Sequence, residues 1–225
     1  RRFFHDVNVK EGIRSNSIYS LLVDDRGAVW VGHFQAGLDY SLYQNGLFRT
    51  YAYLPQFNSA NLSIRSFVNR GPEKVIGSRD GLFYINEATG IVKSFVKPVL
   101  TSDLILTICF YEGEYYIGTY GGGMMVLNPQ TLSLKYFTQG DTELFQKGHI
   151  FCVKPDNRGN LWIGTSQGLF CYNGQTKQIK NFTSTNSQLP EGNVYEVSFD
   201  STGKGWIATE TGMCIYDPAS QSLRS

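Results

Sequence analysis

The chain has only three histidines, His5, His33 and His149, and no two stand at the short spacings of paired metal ligands. Metal ligation is therefore not expected, and a Ser/His/Asp arrangement has little to draw on. A G-x-S-x-G nucleophile elbow is also absent. Apolar runs are short, and none approaches the roughly 18 residues needed to span a bilayer. Arg1-Arg2 followed by FFHDV contains no long apolar stretch, so no signal peptide is expected, and the chain reads as a segment of something longer. Charge of one sign is lacking as well. Lys and Arg number 20 against 19 Asp and Glu, a net charge of +1, which creates no field for nucleic acid or an anionic membrane surface. Cysteine is sparse: Cys109, Cys152, Cys171 and Cys214 all lie in strand-like runs and form no C-x-x-C pair. They read as free buried thiols acting as small hydrophobes, and they leave the redox compartment open.

Aromatics and glycine are plentiful, with 15 Phe, 14 Tyr and 24 Gly in 225 residues. Aromatic and β-branched residues interrupted by glycine turns are the composition of an all-β chain. One phrase organises it. NLWIGTSQGLFCY around Trp162 returns as GAVWVGHFQAGLDY around Trp30, KVIGSRDGLFYI around Val75, EYYIGTYGGGMMVL around Tyr116 and KGWIATETGMCIY around Trp206. These anchors lie 45, 41, 46 and 44 residues apart, the period of a β-propeller blade. The expectation is five four-stranded blades, over about 16–55, 61–97, 103–139, 148–184 and 192–225. Residues 1–9 are expected to end a preceding blade, and the whole to belong to a larger ring of about seven blades.

Within each unit a first strand precedes the anchor. Tyr19, Leu21 and Val23 are expected to alternate to one face, as are Phe151, Val153 and Pro155, and Tyr195, Val197 and Phe199. A turn follows, spelled Asp24-Asp25-Arg26-Gly27, Asp156-Asn157-Arg158-Gly159 and Asp200-Ser201-Thr202-Gly203. Its Asp can accept backbone N–H bonds and its Gly supplies positive φ. That role outweighs acid/base chemistry for the Asp24-Asp25 pair. A small residue two after the aromatic, Gly32, Gly164 or Ala208, is expected to let the neighbouring sheet approach while the aromatic fills the space between sheets. Third strands begin after Gly37, Gly81, Gly123, Gly168 and Gly212. Gly121-Gly122-Gly123 is not followed by Lys-Ser/Thr or a helical pattern, so it reads as a strand connection and not a phosphate loop.

The recurring N-x-[IV] … D-x-x-G-x-x-W-[IV]-G-T-x-x-G-[LM] phrase resembles the two-component regulator propeller family. It is carried by Asn16-Ser17-Ile18 through Trp30-Val31-Gly32, by Asp156 through Gly168-Leu169, and by Asn193-Val194 through Trp206-Ile207. Gly118-Thr119-Tyr120-Gly121-Gly122-Gly123 matches a longer variant, whereas the unit around Val75 lacks both the Trp and the Asp. The resemblance implies a periplasmic input domain of a hybrid histidine kinase system, detecting oligosaccharides from glycan breakdown, with its membrane tether outside this segment. It also implies a possible homodimer through the full-length protein, no nucleic acid partner and no cofactor. Competing readings are a lyase on a propeller scaffold, of polysaccharide or streptogramin type, and a protein-interaction scaffold.

Loops joining the second and third strands are where a rigid sheet scaffold usually carries function. There the chain places His33, Phe34 and Gln35, then Arg79 and Asp80, then Tyr120, Gln167 and Glu210. An aromatic face, a guanidinium, carboxylates and amides suit a sugar, which offers a flat apolar face and polar rims. These eight are the expected ligand-binding residues; no catalytic residue is expected.

Overall fold

In a computed structural model, the structure describes residues 3–9, 11–24, 26–41, 47–51, 62–140 and 142–224. The chain divides into two compact units, Arg1–Lys97 with Asp103–Ile105, and Pro98–Ser102 with Leu106–Ser225. In the first, β1 (Ile18–Val23), β2 (Val29–His33), β3 (Leu38–Ser41) and β4 (Arg49–Thr50) form one four-stranded sheet. β5 (Ile64–Arg70), β6 (Glu73–Ser78), β7 (Gly81–Asn86) and β8 (Ile91–Phe95) form another. Three more follow: β9 (Ile105–Tyr111) to β12 (Leu134–Tyr136) through β10 (Glu114–Thr119) and β11 (Met124–Leu127); then β13 (Ile150–Pro155), β14 (Asn160–Thr165), β15 (Gly168–Asn173) and β16 (Ile179–Phe182). The last sheet is β17 (Val194–Phe199), β18 (Gly205–Thr209), β19 (Met213–Asp217) and β20 (Ser222–Arg224). In every sheet consecutive strands lie side by side and antiparallel, which makes each a blade of a β-propeller.

The turn between the first two strands is held by its Asp. Asp156 Oδ1 accepts the backbone N–H groups of Arg158 (2.8 Å) and Asn160 (2.9 Å), and Oδ2 accepts Trp162 Nε1–H at 3.0 Å. Asp24 does the same with Arg26, Ala28 and Trp30, at 3.0, 2.9 and 3.0 Å. One carboxylate thus closes the turn and aims the indole, which explains why Asp and Trp recur six residues apart. Burial opposes ionisation of both carboxylates, yet the hydrogen bonds outweigh it and hold each below the ordinary range. Gly27, Gly159 and Gly203 adopt φ of 77°, 79° and 83°, the left-handed conformation this turn requires. Asp25 lies outside the described residues.

Close approach between sheets within each unit rests on the small residue after the aromatic. A Cβ on Gly164 would stand 2.6 Å from Cys152 Sγ and 2.7 Å from Val194 O, where the next sheet begins. On Gly32 it would meet Ile64 in the same way. Trp30 and Trp162 are buried because an aromatic of the following sheet covers each: Phe67 at 6.0 Å, and Phe199 and Tyr216 at 5.9 and 4.5 Å. Trp206, in the last sheet, is 41% exposed. Its neighbour Ala208 is exposed too. Trp30 and Trp162 therefore share both the Asp bond and an aromatic cover.

Two features depart from the expected pattern. Residues 3–9 form no strand; His5 donates its backbone N–H to Asn16 Oδ1 (2.7 Å), and Phe3 packs edge-on to Phe48. A short helix, α1 (Thr142–Lys147), precedes β13, where the repeat suggests only a connection. Its Leu144 and Phe145 are fully enclosed in the core of the second unit with Phe137 and Phe170.

Candidate functional site

The strand-two to strand-three turns are built alike in four sheets. The last residue of strand two is Ser78, Thr119, Thr165 or Thr209, and its hydroxyl donates to the carbonyl of Gly81, Gly123, Gly168 or Gly212 at 2.9–3.1 Å. The same oxygen accepts a backbone N–H from inside the turn, as from Asp80 (2.9 Å) and Gln167 (3.0 Å). The next residue is then tied to the residue preceding strand one. Phe34 N–H donates to Ser17 O, Arg79 to Ser63 O, Ser166 to His149 O and Glu210 to Asn193 O, at 2.9–3.2 Å. These bonds bring the variable loop residues beside the start of the first strand.

That start carries a one-residue bulge. In β1 Ile18 faces His33 while Ser20 faces Gly32, and the same slip occurs between Ile64 and Ser66, Ile150 and Cys152, and Val194 and Glu196. The inserted residues are Tyr19, Arg65, Phe151 and Tyr195. A bulge re-aims a side chain and breaks the two-residue alternation. Tyr195 is accordingly 44% exposed while Val197 is buried, so the expected single face through Tyr195 and Val197 is interrupted.

In the first unit Tyr19 packs on Phe34, ring centroids 5.2 Å apart, and the Arg65 guanidinium lies over Tyr19 at 5.0 Å. Ser63 is the junction: its hydroxyl accepts Gln35 N–H at 3.3 Å, and its carbonyl holds Arg79. Gln35 takes a left-handed φ of 52°, a conformation unusual for a side chain of this kind. Phe34, Gln35, Arg79 and Asp80 thus come to one cluster. His33 does not join it. Its ring is wholly buried, and Nε2 lies 2.9 Å from Asp39 Oδ2, which also accepts Arg14 N–H at 2.8 Å. His33 replaces the turn hydroxyl of the other sheets, and its bond to Asp39 turns it inward, away from any ligand at the loops.

In the second unit Tyr120 lies against His149 with centroids 4.0 Å apart, His149 is 6.2 Å from Phe151, and Phe151 meets Tyr195 edge-on at 5.1 Å. Asn193 Nδ2 donates to the Tyr195 hydroxyl at 3.1 Å, and Glu210 Oε2 accepts Asn193 N–H at 3.3 Å. Tyr120 and Glu210 enter this line, and Gln167 is exposed on the adjoining turn. Tyr19, Arg65, His149, Phe151, Asn193 and Tyr195 escaped sequence reasoning. For Tyr19, Phe151 and Tyr195 the signal was the aromatic eleven residues before each Trp, which looked like ordinary strand alternation. The result is a row of ring faces flanked by amides, a carboxylate and hydroxyls, which can stack on a flat ligand and hydrogen-bond its rim. A separate cavity of about 480 Å³ opens between β16 and β20, lined by Lys180, Phe182, Asn186, Gln188, Leu223 and Arg224, away from these loops.

The family model described as Two component regulator propeller matches residues 12–35 and 145–167. Both stretches end in the strand-two turn whose geometry is given above. Two stretches of the chain thus match a two component regulator propeller repeat. Among solved structures it is similar to the extracellular domain of BT3049 of B. thetaiotaomicron, assigned as a hybrid two component system. The two are 25% identical, with a TM-score of 0.74 over 97% of this chain and 29% of that one. The extracellular domain of BT4673 from the same organism is 17% identical, with a TM-score of 0.63 over 100% of this chain and 34% of that one. PorZ of the type-IX secretion system of Porphyromonas gingivalis is 15% identical, with a TM-score of 0.72 over 95% and 34%. The last two likenesses speak for the propeller fold alone. The chain spans about a third of the length of these structures. No curated protein sequence matches it.

Proposed function

We propose that this chain is part of the periplasmic input region of a hybrid two-component regulator, and that it binds glycan-derived oligosaccharides there. In this reading the segment performs no chemistry of its own. It lies within a larger propeller of about seven blades, and a membrane tether outside the segment links it to a histidine kinase and response regulator. Binding, or rearrangement of a homodimer of the full-length protein, passes the signal inward. The repeat and the likeness to an extracellular domain assigned to such a system support the sensor role. One observation supports the sugar: a row of Tyr120, His149, Phe151 and Tyr195 rings, of which Phe151 and Tyr195 sit on strand bulges. Aromatic faces stack on the apolar side of a pyranose, while Asn193, Gln167 and Glu210 offer partners to its hydroxyls. Within the described residues no helix is long and apolar enough to cross a membrane.

Calorimetric titration of a panel of oligosaccharides into the full extracytoplasmic segment tests this. Binding that weakens about tenfold or more on Tyr120→Ala or Tyr195→Ala is expected, since one stacked ring contributes about 1–3 kcal/mol. Absence of heat with every glycan, together with no change in dimerisation, would remove the proposal.

A further inference from the structure

The two loop clusters differ in charge. At the bulge position, where three sheets present Tyr19, Phe151 and Tyr195, the second sheet of the first unit presents Arg65. Its guanidinium rests on the Tyr19 ring at 5.0 Å, and its Nε is buried with no hydrogen-bond partner. Arg79, in the turn of the same sheet, has its backbone anchored at 3.1 Å to the carbonyl of Ser63, two residues before Arg65, and is exposed. Four other arginines meet carboxylates, Arg26 at Asp24, Arg49 at Glu11, Arg70 at Glu73 and Arg224 at Asp217, and Arg158 donates to the Pro218 carbonyl at 3.3 Å. Among the described residues neither Arg65 nor Arg79 has a carboxylate within 4.0 Å. A guanidinium held by stacking and matched by no carboxylate is pre-positioned for a planar or tetrahedral anion, which it meets with paired hydrogen bonds from its terminal nitrogens.

We infer that the first unit recognises the anionic group of an acidic sugar residue, a carboxylate or a sulfate, through Arg65 and Arg79. Tyr19 and Phe34 then cover the sugar ring, and Gln35, held in its left-handed conformation, meets a neighbouring hydroxyl. This inference rests on the oligosaccharide reading above and narrows it to glycans bearing acid groups.

The test uses the full-length protein, titrated with oligogalacturonate, with a chondroitin disaccharide with and without its sulfate, and with a neutral galacto-oligosaccharide of matched length. At least one acidic sugar is expected to bind about tenfold or more tighter than the neutral one, with affinity falling as salt rises. Comparing the disaccharide with and without sulfate assigns the group to sulfate or carboxylate. Arg65→Gln and Arg79→Gln should each remove most of the preference, and Arg65→Lys should restore part of it. Arg79 is exposed, so its variant reports even where an Arg65 variant fails to fold. Neutral sugar binding as tightly as every acidic one, or a preference unmoved by both Gln variants, overturns this inference and leaves the glycan reading standing. Failure of all sugars to bind overturns both.

Discussion

Replacing Asp156 by Asn tests the bond that makes the repeat a repeat. The carboxylate accepts four hydrogen bonds: two from backbone N–H groups at Oδ1, and two at Oδ2, from Asn160 Nδ2 (2.8 Å) and Trp162 Nε1 (3.0 Å). An amide of the same shape keeps one oxygen only. If that oxygen serves the backbone, the new NH₂ faces two donors; if the amide flips, the turn loses its closure. Either way two bonds to a charged acceptor are lost, at about 1.5–3 kcal/mol each, reduced because the site is half-buried, for a net of about 3 kcal/mol. At about 2–4 °C per kcal/mol for a chain of this size, the unfolding midpoint should drop by about 6–12 °C. Acid supplies a second reading. The folded carboxylate titrates below its unfolded value near 3.9, so its stabilisation is complete above that pH and is lost as pH falls through the folded pKa. The gap between wild type and Asp156→Asn should therefore close as pH is lowered below about 4. Denaturant unfolding from pH 7 to pH 3, followed by Trp fluorescence, measures both. A variant within 0.5 kcal/mol of wild type at pH 7 (about the scatter of a neutral surface change), or a gap that acid leaves unchanged, would refute the argument. Asp200→Asn should have a smaller effect, since Asp200 accepts from Thr202 and Lys204 in its own exposed turn.

Gly164→Ala should destabilise by about 1–3 kcal/mol in chemical denaturation, because the added Cβ collides with Cys152 Sγ and the Val194 carbonyl. Ala208→Gly, at the same position in the last sheet, where the residue is exposed, should cost no more than about 0.5–1 kcal/mol. His33→Leu should cost about 1–3 kcal/mol by removing one of the two donors to the buried Asp39 Oδ2, which keeps Arg14 N–H. The double change with Asp39→Leu should recover most of that loss, since other sheets hold an apolar residue there, such as Phe83 and Phe170. Burial pushes the Cys109 and Cys152 thiols up to about 12, so a disulfide-exchange reagent at pH 8 should leave both unmodified until denaturant is added.

Much of the fold was legible because the repeat is dictated locally. Asp, Gly and Trp at six- and three-residue spacings encode a turn, its backbone conformation and an indole to lock it, and the next small residue encodes close approach. The unit around Val75 shows that packing can replace the code: with no Trp or Asp of its own, β5 supplies Asn69 to the Asp24 carboxylate at 2.7 Å and Phe67 to Trp30. The loops were half legible. Composition identified Phe34, Gln35, Arg79, Asp80, Tyr120 and Glu210 as surface groups at one strand junction, but His33 looked the same in sequence and lies in the core. Its partner, Asp39, is six residues away and recognisable only when β2 and β3 are paired.

By itself, then, the order of residues determined the all-β class, the blade period, the turns and the seams between sheets, since each depends on contacts within a few residues or on one repeated neighbour. Only the tertiary structure decided which side chains meet at the loops. A one-residue bulge turns Tyr19, Arg65, Phe151 and Tyr195 out of the strand alternation, and hydrogen bonds between turns set them against residues from other sheets. Those are contacts between distant parts of the chain, and a two-residue period carries no trace of them.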